Sequence, residues 1–213
     1  MIWAPGCIVH TVYGISYGGS SLTLGIITMK LLAFAASLRR ESLNRHLINR
    51  AVELARQDGV EVDLADFRDF YMPLYDADLQ SSEGFPEGAR DLGRRIDAAD
   101  GLIISSPEYN YSMPGTLKNA IDWVSRMKPM PLRGKHGFLL AASTSLVGGI
   151  RGLWALRVPL EGLGVTLQPD MFALAQAQQA LDDSGRLKDP QMQERLSKMV
   201  KGYLEMGRKL SAA

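Results

Sequence analysis

The chain has 213 residues, room for one domain of about 150 residues and an appendage. With 46% hydrophobic and 22% charged residues it has a globular composition, which excludes a disordered or fibrous chain. One cysteine (Cys7) excludes a disulfide framework, three scattered histidines (His10, His46, His136) exclude metal-ligand spacing, and a net charge of +1 gives no field to draw nucleic acid.

Met1 through Met29 contain no Lys, Arg, Asp or Glu, whereas the rest of the chain is ordinarily charged. A secretory signal needs a positive stretch before its apolar core, and Met1–Gly6 has none. The apolar run that follows Lys30 ends at Ala36, too short for such a core. No run approaches the ~18 apolar residues of a spanning helix. Residues 1–28 therefore read as an uncharged leader outside the domain, as an upstream start would produce, and residues 29–213 as the domain. A cytoplasmic location without a membrane partner is expected. Inside the leader, Gly14-Ile15-Ser16-Tyr17-Gly18 matches the G-x-S-x-G of a hydrolase nucleophile elbow. The Gly- and Ser-rich stretch after it is a poor helix, which argues against that chemistry.

From Lys30 onward strands and helices alternate. Leu31 to Ala36 is a continuous apolar run, as in a strand buried on both faces. Asn44 to Gln57 carries Leu47, Ile48, Ala51, Leu54 and Ala55 at helical spacing, and Gly59 closes that helix. Val60, Val62 and Leu64 alternate with acids, which suits a half-exposed strand near a sheet edge. A loop through Pro73 and Tyr75 leads to a helix over about Glu87 to Ala98. Gly101 to Ser105 is the third strand, stopped by Pro107. Ser112 is placed to cap a helix with Pro114 in its first turn and Leu117, Ile121 and Val124 as its buried stripe, with Trp123 also in the core. Gly137 to Ala142 reads as the fourth strand, Gly149 to Leu163 as a helix, Val165 to Leu167 as the fifth strand, and Met192 to Leu210 as a terminal amphipathic helix. Repeated β-then-α units imply an α/β fold of three layers, with helices on both faces of one five-stranded parallel sheet.

Ligands of such sheets bind beyond the carboxyl ends of the strands, where strand order reverses. With the order 2-1-3-4-5, the loops after the first, third and fourth strands meet at that point. The first loop, Ser37 to Asn44, opens a helix and offers two hydroxyls (Ser37, Ser42), the Arg39 guanidinium and the Asn44 amide, a donor set suited to a terminal phosphate. The same residues read equally well as helix capping by Ser42 or Asn44 beside two solvated arginines. Neither a dinucleotide G-x-G-x-x-G nor a triphosphate loop is present. The second loop, Ser106 to Pro114, sets Tyr109, Asn110 and Tyr111 between prolines, a stiff wall with apolar faces and polar edges suited to a planar heteroaromatic ring.

The runs from Ser37 to Asn44 and from Pro107 to Trp123 together resemble the NADPH-dependent FMN reductase family, with order and spacing matched over about Lys30 to Ala213. The resemblance implies a flavodoxin-like fold. It also implies that Ser37, Arg39, Ser42 and Asn44 hold the phosphate of FMN, and that Pro107, Glu108, Tyr109, Asn110, Tyr111 and Ser112 border its ring. The third loop, Ser143 to Gly149, is similar to the family segment on the far side of the flavin, with Ser143 its best-matched contact. This chain has Ser145 where many relatives have Gly, and a Gly-rich strand-to-helix turn is the plain alternative for that loop.

The activity implied is an NAD(P)H-dependent FMN reductase, passing hydride from NADPH or NADH through FMN to small-molecule acceptors: quinones, azo compounds, nitroaromatics or metal oxyanions. No essential side-chain acid–base group is expected, since the flavin carries the chemistry. The alternative is a flavodoxin-like electron carrier without NAD(P)H activity, but such carriers are strongly acidic and this chain has a net charge of +1. Relatives are commonly homodimers or homotetramers, and Met113, Met127, Pro129 and Met130 are compatible with a subunit boundary near the site.

Overall fold

A computed structural model describes residues 29–211. The expected leader over residues 1–28 and the Gly14–Gly18 motif lie outside the described residues. Among the described residues, no helix is long and apolar enough to cross a membrane.

The sheet is parallel, in the order β2-β1-β3-β4-β5. Its centre is β1 (Lys30–Ala35), β3 (Gly101–Ser105) and β4 (His136–Ala142), whose apolar runs are buried almost throughout. β2 (Glu61–Ala65) lies at the edge and alternates, as its sequence requires. The expected fifth strand is present, and a sixth, not expected, follows it. β5 (Thr166–Leu167) pairs with His136 and Gly137, whereas β6 (Phe172–Leu174) pairs with Leu140 to Ala142 farther along β4, making six strands in five positions. Pro169 lies between them and has no N–H for the ladder.

Alternate residues of the central strands feed two cores. Leu31, Ala33, Ile103, Phe138 and Leu140 pack with α1 (Leu43–Gln57) and α7 (Pro190–Ser211). Leu32, Phe34, Leu102, Ile104 and Leu139 pack with α3 (Glu87–Asp97), α4 (Gly115–Val124) and α5 (Ile150–Gly162). The sequence reading missed three short helices. A 3₁₀ turn covers Phe67–Asp69, α2 covers Ala77–Glu83, and α6 covers Ala177–Ala180. α2 has a legible start, because the Asp76 carboxylate accepts hydrogen bonds from the N–H groups of Asp78 and Leu79. The start of α4 differs from expectation: Pro114 occupies the capping position, and Ser112 is instead paired with Tyr109.

Trp123 is fully buried as expected, and its Nε1 donates to the Pro73 carbonyl at 2.8 Å. Asn119 joins it, accepting from Tyr75 N–H and donating to Pro73 O, so α4 fixes the loop after β2.

At the opposite end of the sheet from those loops, His136 is buried against Gly101 and Gly207. A Cβ at Gly101 would lie 2.3 Å from its ring, and one at Gly207 would lie 2.6 Å from it. Tyr203 Oη donates to Leu102 O at 3.1 Å, so the 3.0 Å contact with His136 Nδ1 is one in which the imidazole Nδ1–H donates. Nε2 then carries a bare lone pair, and it has no partner among the described residues. Protonation would place an unmatched N–H there, and burial accordingly pushes the His136 pKa below its ordinary value.

An unfolded chain titrates this histidine near 6.5. The contribution of neutral His136 is therefore complete above about 6.5 and is lost as pH falls toward the lower folded value. Thermal unfolding followed from pH 7.5 to 5 should show stability falling by up to about 1.4 kcal/mol per pH unit more than in His136→Gln. Parallel curves for the two proteins would contradict this.

Candidate functional site

The carboxyl ends of β1, β3 and β4 are adjacent, so the loops that follow them meet at the reversal of strand order. Their junction is made by polar side chains. Asn44, 3% exposed in the first turn of α1, donates through Nδ2 to Ala142 O, and its Oδ1 accepts from Ala142 N–H and from Ser105 Oγ, all at 2.9 Å. One side chain thus ties α1 to the ends of β3 and β4. Three of its four hydrogen-bonding positions are taken, and one amide hydrogen remains. The sequence reading gave Asn44 to a phosphate; the structure shows first a residue that joins the loops.

The start of α1 keeps the other features of an anion site. Ser42 is the N-cap residue, but its side chain makes no capping bond, and the first turn contains no acid. Ser37 and Ser42 are buried beside it, and Arg39 and Arg40 are exposed. The nearby Arg45 and Arg68 are committed to Asp66, at 2.6 and 2.5 Å. The hydrogen bonds of Arg68, with those of Arg45, hold the Asp66 carboxyl well below the usual carboxylate range. Arg39 and Arg40 form no ion pair among the described residues. An apolar cavity of about 380 Å³ opens between Leu38 of this loop, Phe70 to Met72, and Thr116 and Asn119 of α4.

The second loop is a tight hairpin. Tyr109 and Ser112 exchange backbone hydrogen bonds at 2.9 and 3.1 Å, and the two residues between them, Asn110 and Tyr111, have φ of 49° and 67°. This is the turn in which both central residues are left-handed, commonly Asn-Gly. The tyrosine in the glycine position is held there against its steric preference. Both tyrosine rings are exposed, Tyr111 by 70%.

The Glu108 carboxylate meets the start of α5. It is 7% exposed, accepts from the backbone N–H groups of Arg151 and Gly152 (3.0 and 3.2 Å) and from Arg151 Nε (2.7 Å), and forms an ion pair with Arg151 Nη2 (2.5 Å). It caps the start of α5 from another loop, because the N-cap residue itself is Gly149, with φ of 88° and no side chain. The resemblance has Glu108 bordering the flavin ring; its carboxylate is occupied by α5, which leaves its backbone for that border. Arg151, which the sequence reading missed, also places its guanidinium 4.3 Å from the centre of the Tyr111 ring. Gly152 allows the approach: a Cβ there would lie 3.1 Å from Glu108 Cα and Ser112 O.

The third loop turns on Gly148 and Gly149, both at positive φ. Ser143 Oγ accepts from Ser145 N–H and donates to Ser145 Oγ, both at 3.1 Å, while Ser145 O accepts from Gln176 N–H. Ser145 in place of a glycine therefore leaves a closed turn. The Ser143 hydroxyl is engaged within its own loop.

A profile of the NADPH-dependent FMN reductase family matches residues 29–179. The chain is 38% identical over 173 residues to an NAD(P)H-dependent FMN reductase of Pseudomonas aeruginosa, a match covering 81% of this chain and 91% of that one. It is 42% identical over 130 residues to a quinone reductase of Escherichia coli, covering 61% of this chain and 68% of the relative. Among solved structures it is similar to the flavoenzyme NAD(P)H:(acceptor) oxidoreductase FerB of Paracoccus denitrificans, with a TM-score of 0.73, 26% identity, and coverage of 85% of this chain and 98% of that one. With its sheet order, its paired loop motifs and most of its length accounted for in this way, the chain belongs to the NADPH-dependent FMN reductase family and is an oxidoreductase.

Proposed function

We propose that the three loops form one FMN site from which the protein reduces quinones with electrons from NADPH or NADH. Azo compounds, nitroaromatics and metal oxyanions are further acceptors under the same reading. The observation that carries it is the juxtaposition, on adjacent strands, of an acid-free helix start lacking a side-chain cap and a rigid hairpin presenting two exposed tyrosines.

The donor set suits a phosphomonoester. Ser37 and Ser42 supply hydroxyls, Arg39 a cation, and the first N–H groups of α1 the positive end of the helix dipole. The backbone from Pro107 to Ser112 and the rings of Tyr109 and Tyr111 offer edge and face to a planar tricycle, with Ser143 at the third loop. When bound there, FMN would supply the redox chemistry between nicotinamide and acceptor. The chain supplies position and shielding. The Glu108 carboxylate is engaged by the start of α5 and by Arg151, so this reading gives it no acid–base role.

The same reading includes a homodimer or homotetramer. It is supported by Trp154 and Val158, 57% and 73% exposed and one helical turn apart on α5. Sedimentation of a lone protomer at micromolar concentration would refute the assembly.

The function is tested by mixing FMN-loaded protein with NADPH or NADH and a benzoquinone and following nicotinamide absorbance. Steady oxidation that depends on both the quinone and the protein is expected. Bound FMN with no nicotinamide oxidation would make the protein an electron carrier instead.

A further inference from the structure

The geometry points to Arg151 as a positioning residue of this site, one that holds the Tyr111 ring as a fixed wall against which the acceptor packs. This rests on the FMN reading above.

Tyr111 occupies a turn position that favours glycine, with φ of 67°, and its ring is mostly exposed. Burial therefore does little to fix the ring. Arg151 does so by two contacts of different kinds. The guanidinium lies over the Tyr111 ring at 4.3 Å from its centre, its Nε donates to Glu108 Oε1 at 2.7 Å, and its Nη2 is ion-paired with the same oxygen at 2.5 Å. The carboxylate is in turn fixed by the backbone N–H groups of Arg151 and Gly152. A rigid helix end thus grips a carboxylate of the second loop, and the cation gripped with it stacks on the tip of the same loop. Planarity matters, because a guanidinium can bond a carboxylate along its edge while presenting its face to a ring. A lysine at this position keeps the charge and loses the face.

The two backbone donors to Glu108 do not depend on the Arg151 side chain, so its loss frees the hairpin tip while leaving the loop attached to α5. The phosphate donors lie on the first loop, away from this contact. Acceptor binding should suffer most, and FMN, whose ring the same tyrosine borders in the reading above, should weaken by only a few fold because its phosphate donors are untouched.

The test is a double-mutant cycle of Arg151→Met and Tyr111→Ala, with Arg151→Lys as the conservative variant. FMN affinity, thermal unfolding, and kcat and KM for a benzoquinone are measured for each. Arg151→Met should raise the quinone KM about fivefold, the worth of roughly one cation–π contact, with kcat changed less than about twofold. In the Tyr111→Ala background the same change should add almost nothing, and Arg151→Lys should recover part of the loss. Equal effects of Arg151→Met in both backgrounds, or an unchanged KM, would overturn the role of Arg151 while leaving the FMN reading standing. Wild-type protein that takes up no FMN would overturn both. Should Arg151→Met fold poorly, the comparison of Arg151→Lys with and without Tyr111→Ala decides the same point.

Discussion

Replacing Asn44 with Ala should lower folding stability by about 3 kcal/mol and weaken FMN binding at least about tenfold. The side chain is buried and joins three strand or helix ends through bonds to Ala142 O, Ala142 N–H and Ser105 Oγ. Its removal leaves two backbone groups and a hydroxyl without partners where water has little access, at about 1–3 kcal/mol for each group left unpaired, reduced by whatever water enters. The effect on ligand follows from position. The same bonds set the distance between the start of α1 and the ends of β3 and β4, so the phosphate donors and the hairpin lose their common frame. Urea unfolding and an FMN titration of the same variant check both parts. A stability loss below about 1 kcal/mol would show that Asn44 is not the junction described here.

The second large effect is expected at Gly152. A Cβ at this position would already lie 3.1 Å from Glu108 Cα, Glu108 Cβ and Ser112 O, and the γ-methyls of Gly152→Val cannot fit without moving the second loop. Overpacking of this kind destabilises by about 1–3 kcal/mol. The functional loss should be larger in proportion, because the displaced segment is the proposed ring wall. We expect FMN affinity to fall more than about tenfold in Gly152→Val, with Gly152→Ala between it and the wild type. Isothermal titration with FMN measures this. Affinity within about twofold of wild type in the valine variant would mean that loop 2 does not need its close approach to α5.

Much of the fold was legible because the central strands are uninterrupted apolar runs and the helices carry their period openly. Leu31 to Ala36, Gly101 to Ser105 and Gly137 to Ala142 could hardly be anything but strands buried on both faces. The divided fifth position was less legible. Phe172, Ala173 and Leu174 make too short a run to stand out, and their pairing with Leu140 to Ala142 is fixed by the sheet rather than by local preference. α6 escaped for a similar reason, being four residues long and starting from Gln176 in a left-handed conformation.

At the site, residue types were readable and side-chain directions were not. Ser37 and Ser42 are buried at the start of α1 with Arg39 exposed before it, a placement the proposed phosphate contact requires. Asn44 and Glu108 have the polar character expected of ligand contacts, yet both spend it on holding elements together. No spacing rule relates Glu108 to Arg151, since they meet only because β3 and β4 are neighbours. The one local signal was the Gly148-Gly149 pair followed by Ile150-Arg151-Gly152, a helix start with no capping side chain of its own. Such a start invites an acid from elsewhere, and Glu108 is that acid.

The central claim is that a phosphate anchored at the start of α1 holds a flavin against the hairpin of the second loop. The most direct measurement compares equilibrium binding of FMN and riboflavin to the same protein, by quenching of flavin fluorescence. The expected result is saturable uptake of FMN with one flavin per chain, riboflavin binding at least about a hundredfold more weakly for want of the charge-assisted bonds. Equal affinity for the two flavins, or no saturable uptake of either, would contradict the account.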